Sequence, residues 1–317
     1  MLTTEDSTQK NISEIIGKGY RKALYEKIIK SIVFYLMVIF VFIWCVFPFF
    51  FAFLQSFVNP QTRRNFEFIP ADPTNFNYRT VFDTFHFQKY IINSAYISVI
   101  TTITCVIIAA FAGYVLATFS FRGKGFLMLI ILSMTMFPGI IIAIPLLSLY
   151  VQEGKIVWPI VNTTYPIVNT YVPGLLIPYI AFNLPLTVFL LYNFFQEIPR
   201  ELILAARVDG ASNFQVFRKI ILPLAVPGVF TTAILVFIAS WNEFLFASIL
   251  ITNAAQNGTV PLALAKFQGI PTSQGQIYDP LLALMAACVI VTLPLVIVVL
   301  VFQKQIVSGI TAGAIKG

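Results

Sequence analysis

Long apolar segments separated by shorter polar ones dominate this chain. A helix that crosses a lipid bilayer needs roughly 20 consecutive, mostly apolar residues. Six segments reach that length, at Ser31–Phe57, Tyr90–Phe119, Phe126–Val151, Val172–Phe195, Gly228–Thr252 and Pro280–Phe302. The pattern therefore predicts an all-α membrane protein with six transmembrane helices.

Prolines interrupt two of these segments. Pro138 and Pro145 fall in the third, and Pro178 and Pro185 fall in the fourth. Such breaks are tolerated when neighbouring helices, hydroxyl groups or water pair with the freed backbone carbonyls. We therefore expect the spans to pack together as a bundle.

The lysines and arginines predict an orientation. If the N-terminus is cytoplasmic, the inner segments hold 14 of the 20 basic residues and the outer segments hold 6. Basic residues are enriched in cytoplasmic loops, so both termini are expected inside. This divides the chain into a cytoplasmic N-terminal segment (1–30) and a transmembrane domain (31–317), whose main inner loop spans 196–227.

Composition narrows the possible functions. The chain is 58% hydrophobic and only 10% charged, which is typical of a membrane protein and not of a soluble domain. The net charge of +7 comes from residues that flank apolar segments, so it does not indicate nucleic-acid binding. With one histidine, three cysteines at unpaired spacings and no phosphate-binding loop, we expect no catalytic residues, no metal site and no cofactor.

The inner loop carries local signals for a folded structure. Pro199 suits the first position of a helix, and Glu201 suits the positive end of the helix dipole. Asp209 and Gly210 then predict the end of that helix, because glycine readily adopts a left-handed conformation.

A second short helix is predicted directly after this turn. Ser212 and Gln215 form the pattern of a capping box. We predict that Phe214, Phe217 and Ile221 line one face and that Pro223 ends the helix.

Residues 199–223 resemble the EAA loop of ABC importer permeases, and we call them the coupling pair. The similarity lies in Ala205-Ala206, Asp209-Gly210-Ala211, Phe217 and Ile221-Leu222-Pro223. Three further stretches extend it: Phe182-Asn183-Leu184-Pro185, Trp241-Asn242-Glu243-Phe244 and the tail 309–317. Together they resemble the maltose-transporter-type permease subunit of prokaryotic carbohydrate importers.

This resemblance implies a type I permease fold in a prokaryotic cell membrane and a set of partners. The expected partners are two ATP-binding subunits, a second, related but non-identical permease and an extracytoplasmic solute-binding protein. The expected substrate is a mono- or oligosaccharide. ATP hydrolysis would take place on the separate ATPase subunits, so this chain is not expected to be an enzyme.

The resemblance also assigns candidate site residues. Those expected to contact the ATPase are Glu201, Ala205, Ala206, Asp209, Gly210, Ala211, Phe214, Phe217 and Pro223. The tail expected between the ATPase subunits includes Gly309, Thr311, Gly313 and Lys316. The outer loop expected to contact the binding protein includes Gln256, Asn257, Gly258, Gln274, Gly275 and Gln276.

One position departs from the family pattern. The glutamate of the Glu-Ala-Ala motif is expected at position 204, where this chain has Leu204. In the family that carboxylate pairs with an arginine of the ATPase. An exposed ion pair contributes only about 0–1 kcal/mol, so docking through shape and apolar contact remains possible without it. Glu201 is a candidate substitute.

Polar residues inside the spans are a further group of candidates. Ionisable groups in hydrocarbon are costly and normally face a partner or a water-filled path. Asn183, Asn242 and Glu243 are therefore candidates for the translocation pathway or its gate. A hydrogen bond that only holds the helices together explains Asn242 and Glu243 equally well.

Three other functions stay open from the sequence. The first is an ABC importer permease for another polar solute, such as a polyol, a sugar acid or glycerol phosphate. A stand-alone channel or secondary transporter would need intramembrane charges for ion coupling, and Glu243 is the one carboxylate available for that. A membrane-embedded enzyme would need a catalytic constellation that the sequence lacks.

Overall fold

The computed structural model describes residues 3–62, 68–153, 156–157, 164–165, 171–251, 257–268 and 278–314. Side chains are not described for residues 1–24, 26, 150–173, 268 and 306–314. Over the described residues the chain is almost entirely helical. Five helices are long and apolar enough to cross a membrane, and a bent pair of helices adds a sixth crossing. The predicted all-α fold is confirmed.

The first helix, α1, covers Thr3–Gln55 and begins well before the predicted span. Over 27–55 its most apolar stretch has no residue buried within this chain. A short helix, α2 (Phe76–Arg79), follows and continues as a π-helical turn to Thr84. The connection between α1 and α2 closes through backbone pairing of Val58 with Pro73.

Three helices form the centre of the bundle: α3 (Phe87–Thr118), α6 (Ile177–Gln196) and a later span, α10 (Val226–Trp241). A π-helical turn over Tyr171–Leu176 leads into α6. Helix α3 packs against both of the other two. A Cβ atom added at Gly113 of α3 would lie 3.0 Å from the backbone nitrogen of Tyr192, so glycine lets these two backbones approach closely.

The third predicted span is not one straight helix. It consists of α4 (Lys124–Met134) and α5 (Gly139–Glu153), which meet at an angle of 83°. Pro138 lies in the break, where its missing N–H prevents the helix from continuing. The sequence predicted the proline break but not a bend of this size.

The bent pair nevertheless connects the two ends of the bundle. The Lys124 ammonium lies 5.2 Å from the ring centroid of Tyr192, near the C-terminal end of α6. Ala143 of α5 is buried beside Leu175, just before the N-terminal end of α6. Because α4 starts at one end of α6 and α5 reaches the other, the pair is one broken span. Two antiparallel strands of two residues each follow, β1 (Ile156–Val157) and β2 (Thr164–Tyr165).

The coupling pair connects α6 to α10. It contains α7 (Arg200–Val208), α8 (Asn213–Val216), a π-helical turn (Phe217–Ile221) and α9 (Leu222–Leu224). The fifth span continues past α10 as α11 (Leu245–Leu250), and the last span is α13 (Pro280–Ala314). Between them lies a short helix, α12 (Val260–Gln268).

Helix α12 changes the expectation for the outer loop. The resemblance implied an outer loop here that contacts the binding protein, but α12 is packed into the bundle. Val260, Ala263 and Phe267 are buried in one cluster with Trp241 of α10 and Ala283 of α13. Three apolar residues at helical spacing within a polar segment were the signal for this helix.

Candidate functional site

The first helix of the coupling pair forms as the local signals predicted, with a shift of one residue at its start. Pro199 is the N-terminal cap, so the first helical residue is Arg200. Gly210 has φ +81°, the left-handed conformation that ends the helix. The N–H of Ala211 then donates to the carbonyl of Ala206 at 2.9 Å, which closes the turn.

The second helix begins at the predicted capping box. The N–H of Gln215 donates to Oγ of Ser212 at 3.3 Å, and the N–H of Ser212 donates to Oε1 of Gln215 at 2.7 Å. The helical backbone continues through the π-helical turn into α9 and ends at Leu224, one residue beyond the predicted end at Pro223.

One side of the coupling pair is buried against α3 and α6. Ile203, Val216, Phe217 and Ile221 are at most 8% exposed and belong to one core cluster with residues of both spans. The ring centroid of Phe217 lies 5.0 Å from that of Tyr114 in α3. These contacts fix the pair to the end of the bundle.

Two polar contacts add to this attachment. The Tyr114 hydroxyl donates to the carbonyl of Asn213 at 2.9 Å, where α8 begins. Nη2 of Arg207 donates to Oδ1 of Asn213 at 3.3 Å and so connects the two helices of the pair. The Arg207 guanidinium carbon also lies 5.7 Å from the ring centroid of Phe119. Asn213 is therefore held from both α3 and α7.

Three large apolar side chains of the pair are exposed. Leu204, Val208 and Phe214 are 59%, 87% and 58% exposed. Phe214 was predicted to share a face with Phe217 and Ile221, and this is wrong. The buried face is completed by Val216, and Phe214 points away from it.

The structure places the predicted coupling residues in three environments. The exposed ones are Glu201, Ala205, Asp209, Gly210, Phe214 and Pro223. Ala206 and Ala211 are half-buried and pack against the core cluster. Phe217 is buried, so within this chain it contributes packing and presents no surface to a partner.

A cavity of about 240 Å³ lies where α7 meets the ends of α3 and α6. Arg200, Leu204 and Arg207 line it from the α7 side, and Thr118 and Gln196 line it from the spans. The opening therefore lies beside the Leu204 side chain that forms part of the exposed apolar face.

The fifth span is broken at Asn242–Phe244, between α10 and α11. There the Glu243 carboxylate accepts hydrogen bonds from the N–H groups of Phe246 at 2.8 Å and Ala247 at 3.2 Å. Unpaired N–H groups at the start of a helix are costly within a bilayer. Glu243 therefore caps α11, which favours its interpretation as a structural residue.

Asn242 and Asn183 are placed differently from Glu243. Asn242 is exposed, and its Nδ2 donates to the carbonyl of Ile238 at 3.0 Å. Asn183 is half-buried, and its Nδ2 donates to the carbonyl of Tyr179 at 2.8 Å. In both residues the side-chain NH₂ group donates to a backbone carbonyl four residues earlier in the chain. The side-chain oxygens, Oδ1 of Asn183 and Oδ1 of Asn242, are the candidates for contact with solute or with another subunit.

The outer-loop and tail candidates are only partly described. Asn257 and Gly258 are half-buried and buried, and the Gly258 carbonyl accepts a 2.9 Å hydrogen bond from Nδ2 of Asn93. The backbone of α13 is helical through the tail to Ala314. Candidates outside the described residues are Gln256, Gln274, Gly275, Gln276 and Lys316, and those described by backbone alone are Gly309, Thr311 and Gly313.

Comparison with known proteins gives the family. Residues 106–312 match the model of the family described as the binding-protein-dependent transport system inner membrane component. The chain belongs to this family. The matched range includes the coupling pair and the broken fifth span, so the features built up above lie within the family domain. The permease is a membrane-spanning subunit of the ATP-driven ABC importer class, and the predicted family is confirmed.

Two relatives match the permease over nearly its whole length. The trehalose transport system permease protein SugB of Mycobacterium tuberculosis is 38% identical over 94% of this chain and 100% of its own. The trehalose/maltose transport system permease protein MalG of Thermococcus litoralis is 39% identical over 92% of this chain and 99% of its own.

A solved structure supports the fold. One chain of a bacterial ABC transporter involved in the import of the acidic polysaccharide alginate superposes with a TM-score of 0.70. It is 23% identical, and the match covers 87% of this chain and 96% of that one. The likeness confirms the type I permease fold of the multi-pass membrane domain.

Sequence reasoning missed the side chains that hold the coupling pair from the span side. Tyr114 lies in an apolar stretch, and a buried tyrosine hydroxyl usually has a hydrogen-bond partner. That expectation was the signal available. It identifies Tyr114 as an anchor but does not name Asn213, which is distant in sequence.

Proposed function

We propose that the permease imports a mono- or oligosaccharide and that its coupling pair docks into an ATPase subunit. The exposed face formed by Leu204, Val208 and Phe214 carries this proposal. Large apolar side chains exposed in water beside charged residues are typical of protein–protein interfaces. Contact with lipid does not explain the exposure of Leu204, Val208 and Phe214, because these residues lie on the loop beyond the end of the bundle.

Leu204 makes the docking face of this chain apolar where the family pattern has a carboxylate. A carboxylate would contribute an exposed ion pair of about 0–1 kcal/mol. Burying most of a leucine side chain contributes about 1.5–3 kcal/mol. The proposed socket on the ATPase therefore offers an apolar surface to position 204 and needs no arginine there. Glu201, one turn earlier and exposed, remains available to a basic residue at the rim.

The sugar substrate is proposed from the relatives. Their names specify trehalose for one, trehalose and maltose for another, and arabinooligosaccharides for AraQ of Halalkalibacterium halodurans, which is 32% identical over 71% of this chain. The second alginate transporter structure, which covers 89% of this chain, is in complex with a pentasaccharide-bound periplasmic protein. We propose a solute-binding protein, a related second permease and two ATPase subunits as the partners.

In the proposed cycle, ATP binding closes the two ATPase subunits and moves the docked coupling pairs. The pair is fixed to α3 and α6 by its buried side, so its motion is passed to the spans and alternates access to the pathway. A nucleotide shifts this equilibrium only through its different affinity for the two states. Hydrolysis takes place on the ATPase subunits, and both termini of the permease are cytoplasmic.

For the pathway we propose that Asn242 contacts solute or the second permease. An exposed amide in a bilayer-spanning helix is costly against lipid. Glu243 is occupied by the N–H groups of α11 and shapes the break beside Asn242. The tail and the 256–276 loop keep the roles that the resemblance implies, contact with the ATPase dimer and with the binding protein.

Uptake by the reconstituted complex tests the proposal. Proteoliposomes that contain both permeases and the ATPase subunits would receive binding protein and labelled trehalose, maltose or glucose, with and without internal ATP. We expect ATP-dependent uptake of at least one sugar. Uptake of none of a wider panel of sugars, together with uptake of an amino acid or ion, would contradict the substrate class.

A matched pair of variants tests docking in the same vesicles. Phe214→Ala removes an exposed ring from the proposed docking face, and Phe121→Ala removes an exposed ring from the α3–α4 connection at the same end of the bundle. We expect Phe214→Ala to lower uptake about ten-fold, as loss of a central apolar contact does in interfaces. Phe121→Ala should stay within two-fold of the original protein. Equal effects from both would contradict the docking face.

A further inference from the structure

Helix α3 contacts the coupling pair at one end. At its other end it contacts residues 257–268, which include α12 and are called the α12 segment. At the first end, the Tyr114 hydroxyl donates to the Asn213 carbonyl at 2.9 Å. At the second, Oγ of Ser94 accepts from the N–H of Val260 at 2.8 Å, at the start of α12. Each contact joins a side chain of α3 to the backbone of a segment outside the central bundle.

The contact with α12 is reinforced by neighbouring groups. Nδ2 of Asn93 donates to the Gly258 carbonyl at 2.9 Å, two residues before Val260. The Lys266 ammonium lies 3.4 Å from the hydroxyl of Tyr90 and 5.4 Å from its ring centroid. The α12 segment is thus held to the first turns of α3 at both of its ends.

Among the membrane crossings that the structure describes, α3 alone contains no proline and no break. The others contain prolines, such as Pro48 in α1, Pro185 in α6 and Pro294 in α13, and the fourth and fifth crossings also include a π-helical turn or a break. Prolines and breaks are the usual sites of helix bending. An uninterrupted helix of 32 residues keeps its two ends in a fixed relation.

The spacing of the two contacts spans the membrane. Ser94 and Tyr114 are 20 residues apart, which corresponds to about 30 Å along a helix and equals the thickness of the hydrocarbon core. Both side chains are largely buried, at 1% and 5% exposure. A displacement of the coupling pair along α3 therefore reaches the α12 segment without passing through a flexible joint.

We propose that α3 is the rod that transmits motion of the coupling pair to the α12 segment, with Tyr114 and Ser94 as positioning residues at its two ends. The proposal rests on the proposed function, because it needs the ATPase to move the coupling pair. It adds that nucleotide binding to the ATPase moves the α12 segment, which lies between the fifth and sixth spans on the side of the membrane opposite the coupling pair.

Removal of single hydroxyl groups tests the rod. Tyr114→Phe and Ser94→Ala each delete one inter-element hydrogen bond, and Thr102→Val deletes a hydroxyl of α3 that bonds within its own helix, to Ser98. The measured quantity is the number of sugar molecules taken up per ATP hydrolysed by the reconstituted complex. Loss of one hydrogen bond of average strength changes an equilibrium about five-fold, and we expect a fall of that size in this ratio for both end variants.

The double variant separates transmission from simple loosening. If the two contacts act in one linkage, Tyr114→Phe with Ser94→Ala is no worse than either single variant, and basal ATPase activity stays within two-fold. The proposed role of α3 is contradicted if the effects of the two single variants on the uptake-to-hydrolysis ratio multiply in the double variant. It is also contradicted if Thr102→Val lowers this ratio as much as the end variants do. An original complex that takes up sugar without ATP would instead overturn the proposed function itself.

Discussion

Replacing Phe217 by alanine tests how the coupling pair is held on the bundle. The ring is 5% exposed, and its centroid lies 5.0 Å from those of Phe111 and Tyr114. Truncation of a buried phenylalanine costs about 3–5 kcal/mol. Because Phe217 belongs to the buried side that attaches the pair to the bundle, we expect most of that loss to fall on local attachment. At about 1.4 kcal/mol per factor of ten, the detached population rises by about 100-fold or more.

Hydrogen exchange of the purified complex measures that population. Amides of 214–221 exchange through local opening, so a larger detached fraction raises their exchange rate in proportion. We expect Phe217→Ala to raise it about 100-fold, while amides in the middle of α3 stay unchanged. Sugar uptake should fall with it, since a detached pair no longer moves the spans.

Phe214→Ala is the matched control for this experiment. It removes the same side chain three residues earlier, from a position 58% exposed and outside the core cluster. Exchange in 214–221 should therefore stay within two-fold of the original protein even though uptake falls. Unchanged exchange in Phe217→Ala, or an equal rise in both variants, would refute the division into a buried side and a docking side.

Three further substitutions have defined outcomes. In Gly228→Ala the new Cβ would clash with the ring of Phe194. Overpacking of this kind costs about 1–3 kcal/mol, so the thermal midpoint of the purified permease should fall, whereas Gly125→Ala, with no atom within 4 Å, should not change it. Ser212→Ala removes the capping box and should destabilise α8 by about 1 kcal/mol, seen as faster exchange at its start. Glu243→Ala leaves two helix N–H groups unpaired, at about 1–3 kcal/mol each, and should lower the midpoint further than Glu243→Gln.

Local signals explain what the sequence predicted well. Span lengths follow from hydrophobic runs, and the helix boundaries at Gly210 and Ser212 follow from backbone conformation and capping chemistry that need no tertiary contact. The same holds for the family resemblance, which rests on residues of this loop. The boundaries at Gly210 and Ser212 agree with the structure, whereas α1 begins at Thr3 instead of Ser31 and α13 continues to Ala314 beyond the predicted end at Phe302.

The sequence-based predictions differ from the structure where tertiary packing determines which residues are buried. Phe214 and Phe217 are three residues apart, a spacing that allows one shared face, but Val216 and Phe217 are buried in the core cluster and Phe214 lies outside it. Helix α12 had a weak sequence signal within polar flanks, and the structure identifies it through its packing against α3 and α13. The role of Glu243 required its distance to two N–H groups, which no sequence pattern states.

Site-specific photocrosslinking tests the central claim, docking of the coupling pair, most directly. A photoreactive phenylalanine analogue at position 204 or 214 lies on the exposed apolar face, and one at position 92, where Ile92 is 65% exposed, lies at the opposite end of α3. In membranes that contain the transporting complex, we predict a crosslink to the ATPase subunit from 204 and 214 and none from 92. Transport-competent complexes that give no ATPase crosslink from 204 or 214 would contradict the account.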